Sequence, residues 1–389
     1  MLSNSLGNTR DPVSTCRLLR KKPRKADRMK ILGALLMGFL VSVGTAESQD
    51  LIENPEKPAH SEPGRVITLT EVLRIPGEGE GYYYNGVNEM ECDGQGNIYF
   101  HDFWSSNQRA HLLKFTVDGR FVGDFCRQGE GPGEVQSALD FVLGEELLFV
   151  YDYTRNKVIE MDLDGAFKRE FKREDSGFNE VVGIHRDRMM GVKRVWPTER
   201  KQTKLYDMKN VIILVDLDGS REKELYTFIN QMFVVGLGQG GGMMFWDPFV
   251  SVLGNGQLFV CCTREYGVEV LDMDTGQIIA RFTRRYRRVR HESGEGEDRF
   301  KKKYNAPEKK YEPDIRGLLF DGSRLWVKTS TTDPDKGTLF DVFDTGGRFL
   351  DSFLVPTKGR VVRVQGDFLY ISEPDEEELL SLVKYRIVG

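Results

Sequence analysis

Over residues 64–389, apolar side chains come in short runs, alternating or nearly continuous, separated by turns rich in Gly, Asp and Asn. This is the pattern of β-strands joined by hairpins, and almost no stretch carries the 3.6-residue apolar period of a capped helix. Two signals alternate along the chain. The first is a turn followed by an aliphatic–aromatic strand: DGQGNIYF (93–100), GEELLFV (144–150), RDRMMGV (186–192), GNGQLFV (254–260), DGSRLWV (321–327) and GDFLYI (366–371). The second is a strand, a turn around Asp and Gly, and another strand: LLKFTVDGRFVGDF (112–125), VIEMDLDGAFKREF (158–171), IILVDLDGSREKEL (212–225), VEVLDMDTGQIIARF (268–282) and LFDVFDTGGRFLDSF (339–353). Asp-Gly turns suit tight hairpins that need a positive φ.

Each unit therefore reads as four strands, a to d, with the first signal as the a–b hairpin and the second as the c–d hairpin. Six units are expected, and the last ends on a third strand, LLSLVKYRIVG (379–389). Its missing outer strand has a candidate at the other end of the domain, RVITLTEVLRI (65–75). An N-terminal strand placed there closes the ring and shields edges that would otherwise pair with other chains. The expected fold is all-β: a six-bladed β-propeller of four-stranded antiparallel blades over 64–389, closed by an N-terminal strand.

Residues 127–171 carry the most specific motifs. They comprise Gly129, Gly131, Gly133 and Glu134, then Phe149-Val150-Tyr151-Asp152, Asn156-Lys157-Val158, and Asp162-Leu163-Asp164-Gly165. This stretch resembles an NHL-type propeller repeat, and its G-x-G-P-G-E form is similar to exported six-bladed bacterial propellers that are largely uncharacterised. The resemblance implies a ring that presents one face to a partner. The Gly-rich segment reads as a connector between blades, with Glu134 accepting hydrogen bonds from loop amides. Arg127, Glu130 and Glu134 are its candidate ligand contacts.

Upstream, a basic stretch runs to Lys30, an apolar run follows over Ile31 to Val43, and Gly44-Thr45-Ala46 makes a small-x-small cleavage pattern. That order is a secretory signal over 1–46, with Met29 as an alternative start. The apolar run is shorter than the roughly 20 residues of a membrane span. An extracytoplasmic chain is expected, touching a membrane only through this segment if it is uncleaved. Residues 47–63 read as a flexible leader.

Charge sharpens the picture. The formal net charge of -5 includes nine Lys/Arg and two Asp in the export segment, whose removal leaves -12. Residues 281–310 hold twelve Lys/Arg against five Asp/Glu, a basic insertion in an acidic ring. Arg285 and Arg288 are its candidate contacts to an anionic protein or glycan partner. Nucleic acid does not fit an export signal. A monomer is expected.

Candidate chemistry is sparse. The five His show no metal-binding spacing. Asp102, Asp152 and Glu373 end the b strands of blades 1, 2 and 6, where converging carboxylates could hold Ca²⁺. Blades 3 to 5 offer Lys193, Cys262 and Thr329 at that point. His101 and Trp246 are further ligand candidates. Gly236 to Gly241 satisfies G-x-G-x-x-G, but an aromatic strand follows where dinucleotide binding needs a helix. Cys92, Cys126, Cys261 and Cys262 read as core thiols, since strands a and d of one blade lie too far apart for a disulfide. No catalytic motif appears. The expectation is a non-catalytic binding or scaffold module, with a metal-dependent hydrolase or lyase resembling propeller lactonases as the alternative.

Overall fold

The Asp-Gly turns organise the sheets. In blade 2 the Asp162 carboxylate accepts the backbone N–H groups of Asp164 and Ala166 at 3.2 and 2.8 Å. Gly165 completes that hairpin at φ +82°, a conformation glycine enters without penalty. Asp93, Asp272, Asp321 and Asp344 accept from turn amides in the same way. Each unit folds into a meander in which strand order in the sheet follows chain order, apart from the outer-edge strands that residues 51–75 add to three sheets.

We describe a computed structural model covering residues 51–388, apart from residues 60, 103–110, 137, 173–177, 197–202, 218–219, 236–241, 246–247 and 376–377. The segment 1–46 and Trp246 lie outside the described residues.

The architecture is the six-bladed β-propeller. The innermost strands are Glu89–Cys92, Ala138–Leu143, Glu180–His185, Phe249–Gly254, Ile315–Phe320 and Arg360–Gln365. Each meets the innermost strand of the next blade, and the last meets the first. The sixth blade is completed by the N-terminal strand β3 (Thr68–Ile75), which pairs antiparallel with Leu380–Val388 from Thr68↔Val388 to Ile75↔Leu382.

The period of two in each strand divides its side chains between two neighbours. Ile98 and Phe100 of blade 1 pack toward blade 6, whereas Tyr99 packs toward blade 2. The core is therefore six apolar layers, one at each blade seam. Strands buried on both faces need nearly continuous apolar runs, which explains Ile98–Asp102 and Leu147–Asp152.

The seam between blades 4 and 5 also holds a buried ion pair. Arg284 Nε donates to Asp341 Oδ2 at 2.7 Å, and both side chains are shielded from water. Tyr266 and Ser352 donate their hydroxyls to the same carboxylate at 2.6 and 2.8 Å. The Arg284 guanidinium lies over the rings of Tyr266, Tyr286 and Phe349. Both oxygens of the buried carboxylate are thereby answered, as burial of charge demands.

The N-terminal stretch does more than close the ring. The leader expected over 47–63 contains a strand, β1 (Leu51–Asn54), which pairs parallel with the outer strand of blade 4. A second strand, β2 (Arg65–Val66), pairs parallel with the outer strand of blade 5. Asn54 joins the two blades, because its Nδ2 donates to the carbonyls of Thr283 and Gly347 at 3.0 and 2.9 Å. Its Oδ1 accepts from the Phe349 N–H at 3.0 Å. Cys92, Cys126, Cys261 and Cys262 are free thiols, with Cys126 and Cys261 buried.

Two substitutions test these joints. Asp341→Ala leaves Arg284 buried without its partner and should cost about 3–5 kcal/mol in urea unfolding. Asn54→Ala strands buried backbone groups on two blades and should cost about 1–3 kcal/mol in the same measurement. Wild-type stability in either variant would show that the joint contributes nothing.

Candidate functional site

Each inner strand begins on the face that carries the connections from one blade to the next, here called the connector face. The carboxylates at the ends of the b strands lie on this face, and two of them grip the incoming connection. Asp102 accepts the Asn85 N–H at 2.8 Å, and Asp152 accepts the Gln136 N–H at 2.8 Å. Thr263 in blade 4 and Ser330 in blade 5 donate their hydroxyls to the carbonyls of Pro248 and Pro313. Glu373 instead takes Arg74 at 3.1 Å and the Tyr385 hydroxyl at 2.7 Å. These side chains are latches on separate blades. Among the described residues, no three or more His, Cys, Asp or Glu form a group able to hold a metal ion.

The Gly-rich connector folds on itself. Glu134 Oε2 accepts the Gly131 N–H at 2.8 Å, as its sequence suggested. A Cβ on Gly129 would fall 2.0 Å from that oxygen, so a side chain there would displace the Glu134 carboxylate from this bond. Glu130 pairs with Arg155 at 2.5 Å, and Arg127 is exposed. His101 is buried on the side of its strand that faces blade 2.

The basic insertion is folded down onto the ring. Arg288 pairs with Asp314 at 2.9 Å, while Arg285 leaves its side chain exposed and donates its backbone N–H to Asn54. Beyond them lies the helix α1 (Glu295–Tyr304), whose Phe300 meets Phe233 of blade 3 edge to face. His291 ties both sides of the loop, with Nδ1 2.7 Å from Glu312 and Nε2 2.9 Å from Glu297 of α1.

The pairing register defines a ring of equivalent positions at the channel mouth. Each pairs with the residue just before Asp102, Asp152, Lys193, Cys262, Thr329 or Glu373 of strand b. Glu89 pairs with His101, Asp140 with Tyr151, Glu180 with Val192, Val250 with Cys261, Gly317 with Lys328 and Arg360 with Ser372. Blades 1 to 3 thus supply carboxylates and blade 4 an aliphatic side chain. Blade 6 supplies Arg360. Blade 5 has glycine, with Arg316 bulged out beside it and Lys328 behind. Half of the mouth is acidic and the opposite part is basic. A cavity of about 520 Å³ lies inside, walled by Glu89, Glu91, Glu180, Ser251, Arg363 and residues of all six inner strands.

The electrostatics follow from this ring. Loss of solvation, reinforced by Asp140, Glu180 and Glu91, holds the Glu89 carboxyl well above its usual range, and Arg360 only partly offsets it. Burial also raises Asp140, against the hydrogen bonds it accepts from Val181 N–H and the Tyr153 hydroxyl. Glu180 is raised by burial, although Arg194 reaches it at 2.9 Å. On the other side, burial and the nearby charges of Arg360 and Arg316 lower the Lys328 ammonium.

The sequence does contain a trace of the ring. A charged residue directly precedes the apolar part of strand a in Glu89-Met90, Asp140-Phe141, Glu180-Val181 and Arg360-Val361. Only the register shows that the four are equivalent.

A carboxyl held above its unfolded value keeps a proton in the native state that the unfolded chain has released. Its contribution to stability therefore falls as pH rises from about 4, the ordinary Glu range, toward neutrality. Glu89→Gln removes this loss. In urea unfolding the variant should match wild type near pH 4 and exceed it at pH 7.5. A variant no more stable than wild type at pH 7.5 would contradict the charge assignment.

A family model described as a 6-bladed beta-propeller matches residues 93–231, from the second strand of blade 1 through blade 2 and most of blade 3. No curated protein matches the chain. Among solved structures, the fold is similar to a protein of Bacteroides fragilis designated a candidate exported protein, at 12% identity and TM-score 0.54. That likeness covers 87% of this chain and 100% of the other. It is similar also to a member of the duf4221 family from Bacteroides vulgatus, at 12% identity and TM-score 0.55, covering 84% of this chain and 99% of that one. Together with the blade pattern, these likenesses establish the fold: the chain is an all-β propeller of six blades.

Proposed function

We propose that this protein is an extracytoplasmic, NHL-like propeller that binds a small ligand or the end of a larger partner at the channel mouth. The observation that carries this reading is the ring of register-equivalent positions, acidic on blades 1 to 3 and basic on blades 5 and 6. Stability alone gives no reason to gather like charges around a cavity, because each raises the desolvation cost of the next. Perturbed titratable groups in a concave site are the usual mark of binding or chemistry. The reading of an exported chain draws on the basic-apolar-small order of residues 1–46 and on the likeness to the Bacteroides fragilis protein. Among the described residues, no helix is long and apolar enough to cross a membrane. The protein acts as a monomer that presents its connector face, and α1 with its exposed lysines Lys302 and Lys303 extends that face.

Thermal unfolding in the presence of polyamines, amino acids, short peptides, and mono- and oligosaccharides tests the proposal. At least one class should raise the melting temperature saturably in wild type and fail to do so in Glu89→Gln/Glu180→Gln. A shift that survives in the double variant would move the site away from the mouth. No shift from any class would remove the reading.

A further inference from the structure

The basic insertion hangs on one imidazole. A two-stranded ribbon forms its base, where the His291 N–H donates to the Lys310 carbonyl at 3.2 Å and the Glu312 N–H to the Val289 carbonyl at 2.9 Å. Beyond the ribbon, α1 is ten residues long and buries none of them. Isolated helices shorter than about 12 residues are marginal in water, so α1 depends on what fastens it. Among the described residues its fastenings are Phe300 against Phe233, Lys301 Nζ on Ser293 at 3.1 Å, and Glu297 on His291.

His291 is held between two carboxylates. Nδ1 lies 2.7 Å from Glu312 and Nε2 lies 2.9 Å from Glu297, with the ring largely shielded from water. An ionised carboxylate accepts and does not donate, so both contacts are hydrogen bonds only when both ring nitrogens carry protons. The neutral ring has one N–H, and its other nitrogen turns a lone pair toward a charged oxygen. Burial pushes the Glu297 carboxyl up, but Lys301 and His291 together hold it below its usual range. Glu312 also takes Arg316 at 2.6 Å. Lys301, Glu297, His291, Glu312 and Arg316 thus form a row that alternates in sign only while His291 is charged. Arg290 and Glu292 flank the ring in sequence and lie exposed. Imidazole is the kind of group in this row that changes charge between about pH 5 and 8.

We propose that His291 is a pH-sensitive clasp, which fastens α1 in acid and releases it as the imidazole loses its proton. The gain from two charge-assisted bonds is present below the imidazole range and is lost as pH rises through it. The ribbon stays, because backbone bonds hold it. What changes is whether Lys302 and Lys303 are presented on a fixed helix or on a loose loop. This goes beyond the channel-mouth reading and does not depend on it.

Hydrogen exchange by mass spectrometry on the full chain tests the clasp, read on peptides over 295–304 and corrected for the intrinsic effect of pH. In wild type, protection of α1 should fall about tenfold between about pH 5.5 and about pH 8, the loss of one charge-assisted bond. His291→Arg carries a permanent charge and should keep α1 protected at the higher pH. His291→Gln cannot become charged and should leave α1 equally unprotected at both. Unchanged protection of the inner strands verifies that each variant is folded. Equal wild-type protection of α1 at the two pH values would overturn the proposal. So would a fall that persists in His291→Arg, or wild-type protection in His291→Gln at the lower pH.

Discussion

A sheet edge is a row of backbone donors and acceptors awaiting partners, and six sheets arranged in a circle have six outer edges. This chain answers three of those edges with one stretch of its own. β3 supplies the last strand of blade 6, β2 adds to blade 5 and β1 adds to blade 4. The blades are otherwise joined by apolar seams, by connectors and by side-chain bonds such as Arg284 to Asp341 and Lys114 to Asp164. A strand that crosses from blade to blade along the rim converts neighbouring sheets into one bonded unit, and Asn54 makes the tie with one side chain. The ordered seam below it, with Arg284 and Asp341, sits where the rim strand passes.

The hairpins and the closing strand were legible because each rests on a local rule. Asp-Gly turns need positive φ, and strands buried on both faces need continuous apolar runs. The rim strands were not legible. Leu51–Asn54 is mostly exposed and its pairing is parallel, so its structure is dictated by the waiting edge of blade 4 and not by its own pattern. The acids at the ends of the b strands were visible but looked like possible ligands. Their short bonds to Asn85 and Gln136 depend on connections whose paths no local pattern reveals. The mouth ring failed to appear for a related reason. A charged residue before an apolar strand looks like any surface position, and in blade 5 a bulge shifts Arg316 out of line.

The insertion also changes character once folded. Its positive charge suggested a surface for an anionic partner, and in the fold His291, Glu312 and Arg316 form a chain of contacts from α1 to the basic side of the mouth. Charge there is organised as a network, in which each group biases the next. The insertion and the channel therefore share one electrostatic neighbourhood, and the exposed lysines of α1 extend it outward.

The rim strand has a kinetic cost. Thr68 pairs with Val388, and Asn54 bonds to Phe349 across 295 residues of chain. During synthesis the earliest strands to emerge thus wait for templates made more than two hundred residues later. Contacts of such sequence separation slow folding, since loop closure precedes any reward. In the interval the outer edges of blades 4, 5 and 6 stand open, and these are the edges through which the nascent chain would aggregate. The strand that seals the finished ring is also the step on which its safe assembly waits.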